Sequence, residues 1–165
     1  MIVQEVLRSQ YRAALKMLEQ VVEACPDALW RDDPATANPF WQVAFHALFY
    51  VHLYLQPSLE DFRRVEWQRS ESHRLGERPL PEDPTAVGEP YSKAQVLDYL
   101  EHCRREVDAQ LATVDLHGPS GFEWLPMNKL ELQIYTIRHV QEHAGELAGR
   151  LADRAGIETG WVGMG

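Results

Sequence analysis

Cysteine is scarce in this chain: Cys25 and Cys103 are the only two in 165 residues, and they form no C-x-x-C motif. They read as reduced side chains of a cytosolic protein, with no disulfide framework. Basic charge is short as well. Sixteen Lys and Arg stand against 25 Asp and Glu, a net charge of −9. That balance argues against non-specific nucleic-acid binding, which needs excess cations to displace counterions from phosphates. It also disfavours docking on an anionic membrane. Long apolar runs are missing too. The longest, around Phe40 to Leu55, is interrupted by Gln42, His46 and His52 and followed by Pro57, so it makes a poor membrane span. The N-terminus has no basic start leading into a continuous apolar stretch, which argues against a secretory signal. Cytoplasmic is the expected location. No segment alternates like a strand, and no repeat or low-complexity tract is visible.

What is present is ordinary except in one respect. A 45% hydrophobic and 25% charged composition fits a globular protein with a proper core. The length fits a single domain over residues 1–165, too short for a polymerase, a kinase or a two-domain dehydrogenase. Histidine stands out, with seven residues against four methionines and five phenylalanines.

The apolar periodicity predicts an all-α fold of four helices. The first runs from Ile2 to Ala24, with Val3, Leu7, Tyr11, Leu15, Leu18 and Val22 as its stripe and Cys25-Pro26 as its end. Asn38-Pro39 is a start signal, with Asn38 as cap and Pro39 in the first turn, and that helix reaches Gln56. From Pro57 to Pro90 the chain holds Pro79, Pro81, Pro84, Gly76 and Gly88, so most of it cannot be helical; Leu59 to Leu75 has room for a short helix. The third helix covers Ser92 to Val114, capped by Ser92, and buries Val96, Leu97, Leu100, Val107 and Leu111. The fourth runs from Asn128 to Ala155 and stops at Gly156. The expected architecture is a four-helix bundle with a long crossover between helices two and three.

Two histidines fall where chemistry is plausible. His139 and His143 lie four apart on helix four, and at about 3.6 residues per turn their rings leave one face. That spacing suits two imidazoles on one divalent ion. Glu146 shares nearly the same face and could accept from a ligand or from water. His46, in the apolar helix two, is the candidate third ligand. Taken alone, a buried histidine is more often a hydrogen-bonded core residue; beside the pair, it completes three imidazoles that leave an ion with open positions. His52 lies about 240° round from His46 and cannot face the same ion. His73, His102 and His117 read as solvated or locally bonded. Tyr50 shares the face of His46 and offers either a hydroxyl to the site or plain core packing.

The run His139-Val140-Gln141-Glu142-His143 formally matches H-x-x-E-H, the signature of inverted zinc peptidases. Those enzymes need a further acidic ligand far downstream, and only 22 residues follow His143. The match reads as accidental, with Glu142 left as a residue that could orient a ligand.

The segments FHALFYVHLYL and RHVQEHAGEL, with the chain's length, helix count and long second connection, resemble the DinB-like superfamily, also called the DinB/YfiT group. The resemblance implies a four-helix bundle binding a divalent metal through one histidine of helix two and an H-x-x-x-H pair of helix four: here His46, His139 and His143. It implies zinc, nickel or iron as the ion, a homodimer, and a small-molecule substrate, with neither nucleic acid nor membrane as partner. Some relatives resemble metal-dependent transferases that use low-molecular-weight thiols. An ion on three imidazoles can lower the pKa of a thiol or of water. The expectation is therefore a metal-dependent enzyme of thiol S-transferase type. A metal-dependent hydrolase and a non-catalytic, metal-stabilised stress-associated bundle are the alternatives. Glu142, Glu146 and Tyr50 are the candidates for catalytic support. Arg63, Arg64, Arg69 and Arg74 are interleaved with acidic residues and read as a solvated, charge-balanced face. Trp41, Trp67 and Trp124 could wall a pocket, though covering the core is their commoner role.

Overall fold

Five helices and no strand make up the described part of the computed structural model, residues 3–32, 38–69, 72–76 and 89–165. They are α1 (Val3–Ala24), α2 (Asp27–Trp30), α3 (Phe40–Leu55), α4 (Lys93–Thr113) and α5 (Lys129–Ala155). The fold is all-α, as expected. Ile2, Asp33, Pro34, Glu71, Pro79, Pro81, Pro84 and Gly88 lie outside the described residues. No helix among the described residues is long and apolar enough to cross a membrane.

On α1, Leu7, Tyr11, Leu15, Leu18 and Val22 are buried as the periodicity demands, but Val3 is exposed. The stripe therefore begins a turn later. After Pro26 the chain makes the single turn α2, which the periodicity does not predict. Its reason is Trp30, which is buried and donates its indole N–H to the Tyr91 carbonyl at 2.8 Å.

α3 packs chiefly against α4 on one side and α5 on the other. Its residues are therefore apolar nearly all round. Every one of them is buried except His46 and Tyr50, which share one face. Burying each large side chain, such as Phe45 or Leu48, contributes roughly 1.5–3 kcal/mol. The start of α3 departs from expectation. Pro39, not Asn38, occupies the cap position, without a side-chain cap bond. Asn38 is used elsewhere: its side-chain oxygen accepts from the Gly76 amide, and its carbonyl accepts from Arg150 on α5 at 2.7 Å.

The connection from α3 to α4 holds no helix among its described residues, so the short helix allowed over Leu59 to Leu75 is not found in residues 59–69 and 72–75. Val65 and Trp67 both pack on the core. Residues two apart cannot share a helix face, so an irregular path is what buries both. Tyr91 ties the segment down. Its oxygen accepts from the Arg69 amide at 2.7 Å and its proton goes to Ser72 at 3.1 Å, while the Arg69 guanidinium lies 4.0 Å above its ring.

The ends of the last two helices follow their signals. Ser92 caps α4 in a reciprocal box with Gln95, and Asn128 caps α5 by accepting from the Glu131 amide at 2.8 Å. Gly156 closes α5 at φ 67°. Gly121 is required: at φ 87°, an added Cβ would sit 1.8 Å from the Pro57 carbonyl oxygen. That close approach presses the loop before α5 against the end of α3. Lys129 fastens the same corner, donating from a buried position to the carbonyls of Gln56 and Ser120. Burial lowers its pKa to about 8.

Candidate metal centre

The helix register brings three of the seven histidines together. His46 arrives from α3, and His139 and His143 arrive one turn apart from α5. Their ring centroids form a near-equilateral triangle with sides of 4.7–4.9 Å. The Nε2 atom of His139 lies 3.0 Å from Nε2 of His46 and 3.2 Å from Nε2 of His143. One ligand atom from each residue lies within 4.8 Å of the other two.

The outer nitrogens decide which protons are present. His46 Nδ1 is 2.6 Å from the His73 carbonyl oxygen. A carbonyl only accepts, so Nδ1 carries the hydrogen and Nε2 of neutral His46 is a bare lone pair. His143 Nδ1 donates to Glu146 at 3.1 Å, which likewise turns its Nε2 into an acceptor. Glu146 is steadied in turn by Arg150, one turn further on. Hydrogen-bonding from His143, helped by the charge of Arg150, holds the Glu146 carboxyl below its ordinary pKa. His139 can protonate only one nitrogen while neutral, and its Nδ1 is buried without a hydrogen-bond partner. With the proton on Nε2, Nδ1 is an orphaned acceptor. With the proton on Nδ1, a donor is orphaned and three lone pairs converge. Adding protons is no escape. Burial lowers the pKa of His46 to about 3, with His139 and His143 adding to the shift against the bond to the His73 carbonyl. Burial, then His143, lowers that of His139 to about 4.

A cation on the three Nε2 atoms would use the converging lone pairs, with the His139 proton on Nδ1. Bonds of about 2.0–2.1 Å separate two tetrahedral ligands by about 3.3 Å and two octahedral neighbours by about 3.0 Å. The observed 3.0 and 3.2 Å fit that range. His46 and His143 also show the supporting pattern of ligating histidines, with the outer N–H given to a carbonyl or a carboxylate. These three residues could hold a metal ion, and ligation requires the neutral imidazole that burial favours at His46 and His139.

The other candidates separate clearly. Glu146 supports His143 directly. Glu142 is exposed, and the bonds at the outer nitrogens of His46 and His143 go to His73 and Glu146 instead. The Tyr50 ring lies edge-on to His46 at 4.8 Å and to His139 at 5.5 Å. His52 points the other way, toward α4. Its Nδ1 is 3.1 Å from the Tyr99 hydroxyl and its Nε2 is 3.2 Å from His102 Nε2. The contribution of His73 was not foreseen. Its carbonyl fixes His46, and its ring stacks on Phe49 at 4.0 Å and 13°. No sequence signal marks a main-chain acceptor, although the stacking ring is what seats it.

Fold and site together define a helical protein with a three-histidine centre between two long helices. The family model described as DinB superfamily matches residues 10–147. The chain belongs to the DinB superfamily. Comparison with curated proteins and with solved structures finds no match.

Proposed function

We propose that the protein binds a divalent ion (zinc, nickel or iron) through His46, His139 and His143 and performs thiol S-transferase chemistry on a small molecule. The observation that carries this reading is the convergence of three Nε2 atoms, two of them bare lone pairs because their rings direct N–H groups outward. When bound, the ion supplies a Lewis acid with open positions that lowers the pKa of a thiol. The protein's part is positioning. The His73 carbonyl turns Nε2 of His46 inward, and Glu146, backed by Arg150, does the same for His143. Tyr50, half-buried, sets its ring edge-on against His46. We read the four long helices as a four-helix bundle in which residues 57–90 form the long crossover and deliver the His73 carbonyl.

Cobalt substitution tests the reading. The protein is expected to take one Co²⁺ per chain and to develop a sulfur-to-cobalt charge-transfer band when 2-mercaptoethanol is added. A cobalt spectrum that thiol leaves unchanged overturns the transferase reading. Hydrolysis of an activated ester by such a sample would favour the hydrolase instead.

A further inference from the structure

The chain has six tyrosines, and four have hydroxyls in hydrogen bonds: Tyr11 with Gln133, Tyr54 with Trp124, Tyr91 with Arg69 and Ser72, and Tyr99 with His52. Tyr50 and Tyr135 are the two whose hydroxyls have no partner among the described residues. Both stand beside the histidine triad. Tyr50 is one turn past His46 and, with it, one of the two α3 residues not buried. Tyr135 is one turn before His139, its ring parallel to that imidazole at 6.5 Å and its side chain exposed. Tyr54 bridges the two, at 5.3 Å from the Tyr50 ring and 6.2 Å from that of Tyr135. Phenylalanine would pack equally well at either position, so the two hydroxyls are groups that a ligand at the triad could use.

We infer that Tyr50 and Tyr135 are O–H donors for a small ligand that carries a carbonyl or carboxylate oxygen a few atoms from the group held at the triad. The inference rests on the metal reading above. Such an oxygen accepts hydrogen bonds and carries full or partial negative charge. Phenol O–H groups beside the site can donate to it.

The test uses cobalt-loaded protein and two thiols of similar size, 3-mercaptopropionate and 1-propanethiol, with the charge-transfer band as readout. In wild type both thiols bind. Tyr50→Phe and Tyr135→Phe are each expected to weaken 3-mercaptopropionate about 10-fold, the usual cost of losing a hydrogen bond to a charged group, and to leave 1-propanethiol unchanged. Equal loss for both thiols, no loss for either, or no binding of either thiol to the loaded wild type overturns the inference. Metal content and melting temperature are measured on the same samples. Protein that takes up no cobalt overturns the metal reading and this inference with it, whereas loaded variants that bind both thiols normally overturn the tyrosine pair alone. Tyr135 lies at the surface, so its variant folds even if Tyr50→Phe is impaired.

Discussion

Two groups of histidines flank α3, and they answer the same problem differently. On the α4 side, His52 and His102 meet through Nε2 atoms 3.2 Å apart, and the Tyr99 hydroxyl takes the other nitrogen of His52. One proton between the rings and one on the phenol satisfy His52. On the α5 side, three rings meet at similar distances, two of them already direct their protons outward, and His139 keeps an orphaned nitrogen. Proximity of imidazoles is therefore not itself a sign of a metal. What distinguishes the sites is that one proton can bridge the two rings at His52, whereas at the triad two of the three inward nitrogens are already fixed as acceptors.

The sharpest way to break this comparison is to remove one ring from each side. His139→Ala is expected to weaken zinc binding at least about 1,000-fold, beyond the 10–100-fold typical of a lost supporting partner. His52→Ala should leave zinc affinity unchanged, yet cost about 2–3 kcal/mol of stability in urea unfolding, because it opens a cavity and strips Tyr99 and His102 of a partner. A His52 variant that loses zinc, or a His139 variant that keeps it, would contradict the distinction. Next in size is the supporting carboxylate. Glu146→Gln is expected to weaken zinc binding about 10-fold, whereas Glu142→Gln changes it less than about 2-fold, by competition titration with a chelating dye. Equal effects would erase the difference between the two glutamates.

The smallest effect concerns pH on the α4 side. Burial first, then His102, lowers the pKa of His52 to about 4 from an ordinary 6.5, against the opposing charge of Glu106. Between those values the unfolded chain binds the extra proton, so stability is complete above about pH 6.5 and is lost as pH falls toward 4. Over the first unit below 6.5 the loss is at most about 1 kcal/mol for this histidine. Metal-free His52→Asn should show a correspondingly flatter decline between pH 6.5 and 5.5. An identical slope in the two proteins would mean that His52 is not held neutral by burial.

The contrast between the two sides also separates what is legible in the amino-acid sequence from what is not. Helical periodicity places His139 and His143 on one face and His46 and His52 on different faces, because those relations lie within a single helix. The Ser92 and Gly156 signals are equally local, and each acts as its residue type suggests. Relations that cross between elements are hidden. The pairing of His52 with His102 depends on α3 meeting α4, and the hold on His46 comes from a main-chain carbonyl of a segment without periodicity. Asn38 has the chemistry of a cap, but tertiary bonds to Gly76 and Arg150 claim it. Glu146 is legible as a neighbour of the histidines, whereas its role in fixing the tautomer of His143 rests on the 3.1 Å contact.

The most direct test is metal stoichiometry after equilibrium dialysis against micromolar zinc at pH 7, measured on wild type, His139→Ala and His52→Ala in parallel. The account predicts one zinc per chain in wild type and in His52→Ala, and none in His139→Ala. Wild type without zinc, or equal zinc in all three proteins, would contradict it.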